Sequence, residues 1–391
     1  MTRLGDPDSA VRVMRTRAQR LDNAARSAPA SVVDIVRAVA GVQAQDERAA
    51  ALGVRVRGRD LTAGDIDHAR ADAKTITRTW CMRGTLHVVP ADMLPALLAV
   101  FGPVYVARGR RRLAQFGLDD DASERGVEII ADTLAERGPL TRPEIVAELR
   151  RRRVASDPGG RAAWHLLRRT CLLGVVCEAG LREGQPAYAR REDWMPDRAT
   201  APDRTTALGE VARWYIAAHQ PASADDFAAW SGLPVADVRR GWEQVTDLVA
   251  FDETGRMCLR ADTADVDPAS PDTPVVRLLP AFDGYLLGHR RRDHAVAPEH
   301  AAQVHPGGGV IHPTLLVDGR VAGTWNTRSP ARLAVTTFAG LGSAPIAALD
   351  AEVKDVARFL GHDLTLTVVG RTPRSVGGVG CDHAGRLTPH T

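Results

Sequence analysis

The stretch Gly41-Val42-Gln43-Ala44-Gln45-Asp46-Glu47-Arg48 lies between two predicted helices and sets the interpretation of the N-terminal part of the chain. Before it, apolar residues recur at helical spacing from Val32 to Val39, and Gly41 stands where a C′ glycine ends a helix. After it, Asp46 is placed to act as the N-cap of the next helix. The two glutamines of the stretch therefore lie on the link between two helices.

Gln43 and Gln45 are two positions apart, and the conformation of the link decides whether they act together. On a helix this spacing would direct them nearly opposite ways, whereas in an extended link both lie on one side. Two carboxamides that face one point can hold a water molecule or a polar ligand atom between them. Considered alone, the spacing favours the alternative that both are solvated loop residues.

Length and composition indicate a soluble protein of several domains. The chain has 391 residues, of which 44% are hydrophobic and 25% charged. No apolar run approaches the roughly 20 residues that span a bilayer, and the polar N-terminus is unlike a signal peptide, so we expect a cytoplasmic protein with no membrane association. The five cysteines are scattered without a CxxC pair, which predicts buried thiols and no metal site. No cofactor is expected.

The basic residues are almost all arginine and occur in clusters. The net charge is only +3, but two of the 51 basic residues are lysine, Lys74 and Lys354, and the rest are arginine. Guanidinium groups donate paired hydrogen bonds that suit phosphate. Three clusters on different parts of the chain favour a nucleic-acid footprint over a single solvated helix face. These clusters are Arg108 with Arg110, Arg111 and Arg112, then 150–153, then Arg290, Arg291 and Arg292.

A pattern of three short helices followed by two β-rich runs occurs three times, which is typical of winged helix-turn-helix units. An Asp- and Pro-rich linker near 261–274 precedes a mostly β pattern. We therefore predict an α+β fold with three tandem winged helix-turn-helix modules and a small C-terminal β-rich, barrel-like domain. The predicted boundaries are 1–95, 96–200, 201–265 and 266–370, with a disordered tail at 371–391.

Two further blocks of sequence, 82–87 (MRGTLH) and 278–288 (LLPAFDGYLLG), accompany the glutamine stretch. With Gln43-Ala44-Gln45, they resemble the AlkZ-like winged-helix DNA glycosylases in order along the chain, from about residue 10 to about residue 370. The resemblance implies that Gln43 and Gln45 are catalytic. The Gln-x-Gln form is similar to the branch that unhooks interstrand crosslinks, which implies a double-stranded DNA partner containing alkylated or crosslinked guanine.

Carboxamides are weak catalysts for the hydrolysis of the N-glycosidic bond of an ordinary nucleobase. An N7-alkylated guanine, however, is already cationic and is a good leaving group. Positioning a water and stabilising the oxocarbenium-like sugar can then suffice. Because a lyase needs an amine for a Schiff base and lysine is scarce, a monofunctional hydrolase is favoured. Asp46 and Glu47 are rival bases; we expect Asp46 to cap its helix, and Glu47 remains an alternative.

Several residues are expected to support the site or contact DNA. His87 lies on a predicted strand and is either a structural histidine or a group that supports the site. For Asp283 and Tyr285 two roles are open: Asp283 anchors a loop and Tyr285 fills an interface, or both form a wall of the DNA cleft. Phosphate and groove contacts are expected from two further regions, the turn at Arg83 and the hairpin after Asp318-Gly319. The expected DNA-binding residues are Arg83, Arg110, Arg111, Arg290, Arg291, Arg292, Trp325 and Arg328.

Aromatic residues make up 5% of the chain and are sparse near the glutamines. Because a crosslinked guanine cannot swing fully out of the duplex, we expect Gln43 and Gln45 to line a shallow, solvent-accessible, arginine-rimmed cleft without a stacking cage. The protein is expected to act as a monomer at the nucleoid. The alternative function is a non-enzymatic winged-helix transcription regulator, because the winged helix also serves that role.

Overall fold

A computed structural model describes residues 7–155, 157, 159–195, 201–246, 249–251, 255–259, 273–329 and 331–370. Most of the predicted linker and the whole predicted tail at 371–391 lie outside these residues. The helices are α1 (Pro7–Ala18), α2 (Asn23–Ser27), α3 (Val32–Ala38), α4 (Glu47–Arg55), α5 (Ala63–Ala71), α6 (Leu94–Ala114), α7 (Asp120–Arg137), α8 (Arg142–Arg151), α9 (Arg161–Leu172), α10 (Arg191–Trp194), α11 (Arg204–His219), α12 (Ala224–Ser231), α13 (Val235–Glu243), α14 (Gly284–Leu287), α15 (Ala301–Val304) and α16 (Ser343–Leu360).

The strands form four small sheets. They are β1 (Val42–Gln43), β2 (Ile76–Trp80), β3 (Leu86–Pro90), β4 (Leu140–Thr141), β5 (Val176–Arg182), β6 (Gln185–Arg190), β7 (Val249–Phe251), β8 (Met257–Leu259), β9 (Val276–Leu279), β10 (Thr314–Val317), β11 (Arg320–Ser329), β12 (Arg332–Thr337) and β13 (Thr365–Gly370).

The first segment, residues 7–90, contains α1 to α5 and a sheet in the order β1-β3-β2. Ser31 and Asp34 form a capping box that begins α3. The helix ends as predicted, because Gly41 adopts φ +96° and its N–H donates to the carbonyl of Val36. The link between α3 and α4 is short and extended, and it joins the sheet as β1.

The second segment, residues 94–195, begins with the 21-residue helix α6, which the sequence interpretation did not include. The helices α7, α8 and α9 and the hairpin of β5 and β6 agree with the predicted three helices and two β-rich runs, whereas the short strand β4, which pairs with β6, and the short helix α10 were not predicted. Gly102 lets α6 pack on the end of α9, because a Cβ there would lie 2.5 Å from the backbone oxygen of Leu172.

The third segment, residues 201–259, consists of α11 to α13 and the hairpin β7–β8. Tyr215 is fully buried at the centre of an aromatic cluster, with its ring centroid 5.0 Å from that of Trp230 and 5.2 Å from that of Phe227. The same core continues into the second segment, so that α6 and α11 pack together.

The C-terminal segment, residues 273–370, is a five-stranded sheet in the order β13-β12-β11-β10-β9, with α16 packed against it. Asp318 and Gly319, both at positive φ, form the predicted turn between β10 and β11. β13 pairs in parallel with β12, and the other pairs are antiparallel.

Buried ion pairs join this segment to the end of α4 and the residues just after it. Arg55 contacts Glu352 at 2.7 Å and Arg57 contacts Asp283 at 2.7 Å. The mixed helix-and-sheet character agrees with the predicted fold class, while the assignment of winged-helix modules remains a prediction. No helix in the described part of the chain is long and apolar enough to cross a membrane.

Candidate active site

The extended link places Gln43 on the edge strand β1 of the first sheet. Its backbone pairs with that of His87 on β3, and the N–H of Ala44 donates to the carbonyl of Leu86 at 2.7 Å. Gln43 is half-buried, and Gln45, two residues further along, is exposed. Of the two conformations considered for the link, the structure has the extended one at Gln43, and the sheet fixes its backbone.

The carboxamide of Gln43 is held by an arginine from the turn between β2 and β3. The Nη2 of Arg83 donates to Oε1 of Gln43 at 2.8 Å, and its Nη1 donates to the carbonyl of Trp230 in α12. Arg83 is thus engaged inside the protein. This corrects the expectation that it is a cation free to enter a DNA groove.

Gln45 is held by the backbone of the same sheet. Its Oε1 accepts a hydrogen bond from the N–H of Leu86 at 3.3 Å. Both catalytic candidates therefore have their amide oxygens oriented by donors, and each oxygen retains a second lone pair. Within the described residues, neither amide nitrogen has a hydrogen-bond partner, so both remain available as donors to a ligand or to water.

His87 is a buried neighbour of Gln43. Its Nδ1 lies 3.1 Å from the carbonyl oxygen of Thr85, which can only accept and therefore requires a proton on that nitrogen. Burial, and then the positive charge of Arg83, lower the pKa of His87 to about 3. The imidazole is neutral near pH 7 and serves the site as a polar packing group.

The two acidic residues after the glutamines have separate structural partners. Asp46 caps α4, as predicted, by accepting from the N–H of Ala49 at 3.0 Å. Glu47 lies 2.9 Å from Arg70 and 2.7 Å from Arg78. Because both arginines are buried cations, Glu47 balances their charge and is a poor candidate for a general base.

Arg78 connects the glutamine link to the second segment. Its Nε contacts the fully buried Glu178 of β5 at 2.7 Å, and its Nη1 donates to the carbonyl of Ala44 at 3.4 Å. Arg70 contacts the same glutamate. We refer to Glu47, Arg70, Arg78 and Glu178 as the buried ion network.

A cleft of about 720 Å³ lies beside Gln45, between the first and second segments. It is open to solvent, and its walls include Arg78, Arg142 and Arg150. Gln45 lines it as predicted, whereas Gln43 is not among the lining residues. The lining of the cleft is Gln45, Arg78, Leu86, Arg142, Pro143, Val146, Arg150, Gly159, Gly160, Trp164, Gln185, Pro186 and Tyr188.

Two aromatic residues line this cleft. The ring of Trp164 packs edge-on against Trp80 at 5.1 Å, and the guanidinium of Arg142 lies 4.6 Å from its centroid. Tyr188 is buried. These two rings contact protein groups and do not form a stacking cage for a base. The sequence analysis did not identify Trp164 as a wall of the site.

The remaining expected DNA-binding arginines are on the surface, except for one. Arg110 and Arg111 are exposed near the end of α6, and Arg110 lies 3.5 Å from Asp120. Arg290 and Arg291 are exposed. Each of them pairs with a neighbouring aspartate at 2.8 and 2.7 Å, respectively. Arg292 is half-buried and donates to the carbonyl of Leu286 at 2.8 Å.

Trp325 does not project from its hairpin. Its side chain is buried in the C-terminal core, and the indole Nε1 donates to the carbonyl of Leu279 at 2.7 Å. The expectation of a DNA contact by Trp325 is therefore wrong, because the ring belongs to the core. Arg328 belongs to β11, but its side chain lies outside the described part of the structure.

Asp283 and Tyr285 have the structural role that the sequence left open. Asp283 is buried, pairs with Arg57, and caps α14 through the N–H of Tyr285 at 2.9 Å. Tyr285 is fully buried and its hydroxyl donates to the carbonyl of Gly319 at 2.8 Å. Neither residue forms a wall of the cleft beside Gln45.

The residues that sequence reasoning missed include Arg78 and the Trp230 carbonyl. Arg78 had a recognisable signal, since a charge in the middle of an otherwise β-rich run indicates an inward-facing partner. The backbone oxygen of Trp230 had none, because its role depends on how the third segment packs. No group of three or more His, Cys, Asp or Glu residues in the described ranges is arranged to hold a metal ion.

The fold matches that of a solved DNA-repair enzyme. The solved structure of the Streptomyces sahachiroi DNA glycosylase AlkZ matches with a TM-score of 0.75 and 26% identity, covering 92% of this chain and 99% of that one. The "Interstrand DNA cross-link repair glycosylase" of Streptomyces sahachiroi is 30% identical over 348 residues, which is 85% of this chain and 91% of that protein. The AlkZ-like DNA glycosylase family model matches residues 36–359, and the chain belongs to this family.

Proposed function

We propose that this protein is a monofunctional DNA glycosylase that hydrolyses the N-glycosidic bond of N7-alkylguanine and unhooks interstrand crosslinks made through that position. One observation carries the proposal: Gln43 and Gln45 have carboxamide oxygens fixed by Arg83 and by the N–H of Leu86, and Gln45 lies on the wall of an arginine-lined cleft. The glycosylase family supports this assignment.

The chemistry matches a neutral amide pair. The bond between C1′ and N9 breaks with its electron pair passing to the cationic base, which leaves as neutral N7-alkylguanine. Water adds to C1′ of the oxocarbenium-like sugar and loses its proton to solvent. Held carboxamides orient that water and place their oxygen dipoles toward the developing positive charge. Because the leaving group is already activated, no carboxylate base is required.

The positions of the acidic and amine groups fit a hydrolase without lyase activity. Glu47 is occupied by Arg70 and Arg78, so it does not face the glutamines as a free carboxylate. The ammonium of Lys74 lies 3.9 Å from the ring centroid of Trp194, which occupies it outside the cleft. A Schiff base would need an unprotonated amine beside C1′.

The open cleft fits a lesion that cannot leave the duplex. A crosslinked guanine remains tethered to the opposite strand, so a closed pocket would exclude it. Here the cleft beside Gln45 is open to solvent, and its aromatic rings contact protein groups. The relative from Streptomyces sahachiroi is an interstrand crosslink repair glycosylase, which supports this extension to the present chain.

We further propose that the three helical segments are winged helices that bind double-stranded DNA as a monomer, in the cytoplasm at the nucleoid. In the second segment, α7, α8 and α9 precede a hairpin, and a short strand completes the order β4-β6-β5. The first and third segments repeat helices followed by a hairpin. Phosphate contacts would then come from the surface arginines, including Arg110, Arg111 and Arg290.

The test is base release by the purified protein. A duplex with one N7-methylguanine should yield free N7-methylguanine, detected by mass spectrometry, and an intact abasic strand that breaks only after alkali. A duplex crosslinked through N7 should separate on a denaturing gel. Sequence-specific binding to undamaged DNA without base release would instead identify the protein as a transcription regulator. Strand cleavage without alkali would contradict the monofunctional assignment.

A further inference from the structure

Arg83 occupies a constrained position between two segments of the protein. It lies in the turn joining β2 to β3 with φ +54°, a left-handed conformation that non-glycine residues rarely adopt. The following residue, Gly84, also has positive φ, and a Cβ there would lie 2.8 Å from the ring of Tyr105. The turn is therefore fixed by close packing as well as by its backbone.

The guanidinium of Arg83 has neutral partners. It donates to the amide oxygen of Gln43 and to the carbonyl of Trp230, and no carboxylate pairs with it in the described part of the chain. Burial lowers the pKa of Arg83. Partial burial of a cation has a desolvation cost that no carboxylate among the described residues offsets here, and this supports a role for its position in the site.

We propose that Arg83 is a positioning residue for the glycosylase reaction, which fixes the carboxamide of Gln43 and ties its orientation to the docking of the third segment through Trp230. The inference rests on the proposed function and deepens it. It assigns the third segment an indirect part in the active site, through a backbone carbonyl that accepts a hydrogen bond from Arg83.

The orientation of a carboxamide matters because its two ends have opposite roles. The oxygen accepts hydrogen bonds and the nitrogen donates them, yet the two groups have nearly the same shape. A donor that can never accept, such as guanidinium, admits only the oxygen. Arg83 therefore prevents the Gln43 amide from turning over, and this leaves its Nε2 and the second lone pair of Oε1 free of that contact.

A fork of two N–H groups is suited to this bridge. Nη2 reaches Gln43 while Nη1 reaches the Trp230 carbonyl, so one planar group spans the two acceptors. An ammonium on a shorter, flexible stem can satisfy only part of that geometry. Lysine at position 83 should therefore retain the charge but restore the orientation of the amide incompletely.

The kinetic test is a double-mutant cycle measured by single-turnover base excision. Arg83→Ala should slow excision about 10- to 100-fold, on the scale of a misplaced catalytic group, with DNA affinity unchanged within about threefold. Arg83→Lys should recover part of the loss. In a Gln43→Ala background, Arg83→Ala should cause almost no further loss. Independent, multiplicative losses would overturn the proposal, as would weaker DNA binding with an unchanged excision rate.

A second measurement does not depend on activity. In protein labelled with ¹⁵N-glutamine, the side-chain NH₂ signals of Gln43 are identified by their absence in Gln43→Ala. Arg83→Lys and Arg83→Ala should shift or broaden them, while Arg111→Ala, an exposed control, should not. Unchanged Gln43 signals in a folded Arg83 variant would overturn the positioning role. If the wild-type protein released no base but the Arg83 variants still shifted the Gln43 signals, the proposed function would be refuted and the contact between Arg83 and Gln43 would be confirmed.

Discussion

Gln43 and His87 stand directly opposite each other on the antiparallel strands β1 and β3. Opposed residues of such a pair project to the same face, so the imidazole is the cross-strand neighbour of the catalytic candidate. Since the pKa of His87 is lowered to about 3, this neighbour carries no charge at neutral pH. Gln43 therefore has a neutral imidazole on one side and the guanidinium of Arg83 on its amide oxygen.

Replacing Gln43 or Gln45 by alanine should slow base excision about 10- to 1000-fold, because each removes a preorganised polar group. DNA affinity should change little, since phosphate contacts dominate it. Single-turnover release of N7-methylguanine and a binding titration measure the two effects. Glu47→Gln is the comparison: if it abolished excision while the glutamine variants remained active, the carboxylate would be the base.

Trp164→Ala should affect bulky lesions more than small ones. The indole forms part of the cleft wall, and loss of an aromatic contact of this kind should cost about tenfold for planar N7 substituents. Excision of N7-methylguanine, which needs no such wall, should stay within about twofold of wild type and serves as the internal control. Equal losses on both substrates would mean that Trp164 only packs against Trp80 and Arg142 and does not contact the lesion.

The salt dependence of DNA binding should distinguish the surface arginines. Arg111 has no ion-pair partner in the described residues, so Arg111→Ala should reduce the slope of log affinity against log salt by about one unit if it contacts a phosphate. Replacing Arg290, Arg291 and Arg292 together should reduce it by less than about three units, because two of them already pair with aspartates. An unchanged slope would place a cluster away from DNA.

Asp283→Asn should destabilise the fold without altering the chemistry. It leaves the buried guanidinium of Arg57 unpaired, which costs about 3 to 5 kcal/mol of unfolding free energy. The matched control is Asp92→Asn, which breaks the exposed pair with Arg37 and should cost less than about 1 kcal/mol. Urea unfolding measures both, and equal effects would contradict the structural role of Asp283.

The protein should lose stability on mild acidification. The pKa values of His87 and His219 are both lowered to about 3, chiefly by burial. The unfolded chain binds these protons near pH 6.5 and the folded one does not, so stability is full above that pH and declines toward pH 3. Between pH 7.5 and 5, each histidine should contribute a loss of about 2 kcal/mol.

His87→Asn is the test of that acid loss. Removing one titrating group should make the decline in urea unfolding free energy shallower by about 2 kcal/mol over the same interval. A decline as steep as in wild type would mean that His87 is already protonated in the folded state. The pH profile of the excision rate near pH 6.5 should likewise be the same in the wild type and in His87→Asn, because His87 does not titrate there in the folded protein.

The sequence predicted local structure well where spacing and capping signals agree. The helices around Gly41, the cap at Asp46 and the turn at Asp318-Gly319 all follow from residues close together in the chain. Helix α6 was missed, although it is the longest helix in the described part of the chain. An internal proline at Pro103 and apolar residues around the whole first half obscure its amphipathic pattern.

The site was predictable only in part, for a different physical reason. Gln43 and Gln45 were identified from a link and a resemblance, but their partners come from distant residues. Arg83 was assigned to DNA because a cation in a turn usually faces solvent. Its actual acceptors are the Gln43 amide on β1 and the Trp230 carbonyl, and the second depends on the packing of α12 against that turn. Trp325 was misplaced in the same way, since a hairpin pattern does not tell which face its tryptophan occupies.

The buried ion network has a consequence for the synthesis of the protein. The backbone carbonyl that follows Gln43 is held by Arg78, whose partner Glu178 is made much later, and Trp230 later still. At about 5 to 20 residues per second, roughly 10 to 40 s separate Gln43 from Trp230 on the ribosome. A nascent chain thus displays both glutamines long before it holds Glu178 and Trp230, the groups that hold Arg78 and Arg83, and a prematurely terminated product would contain the motif without the completed site.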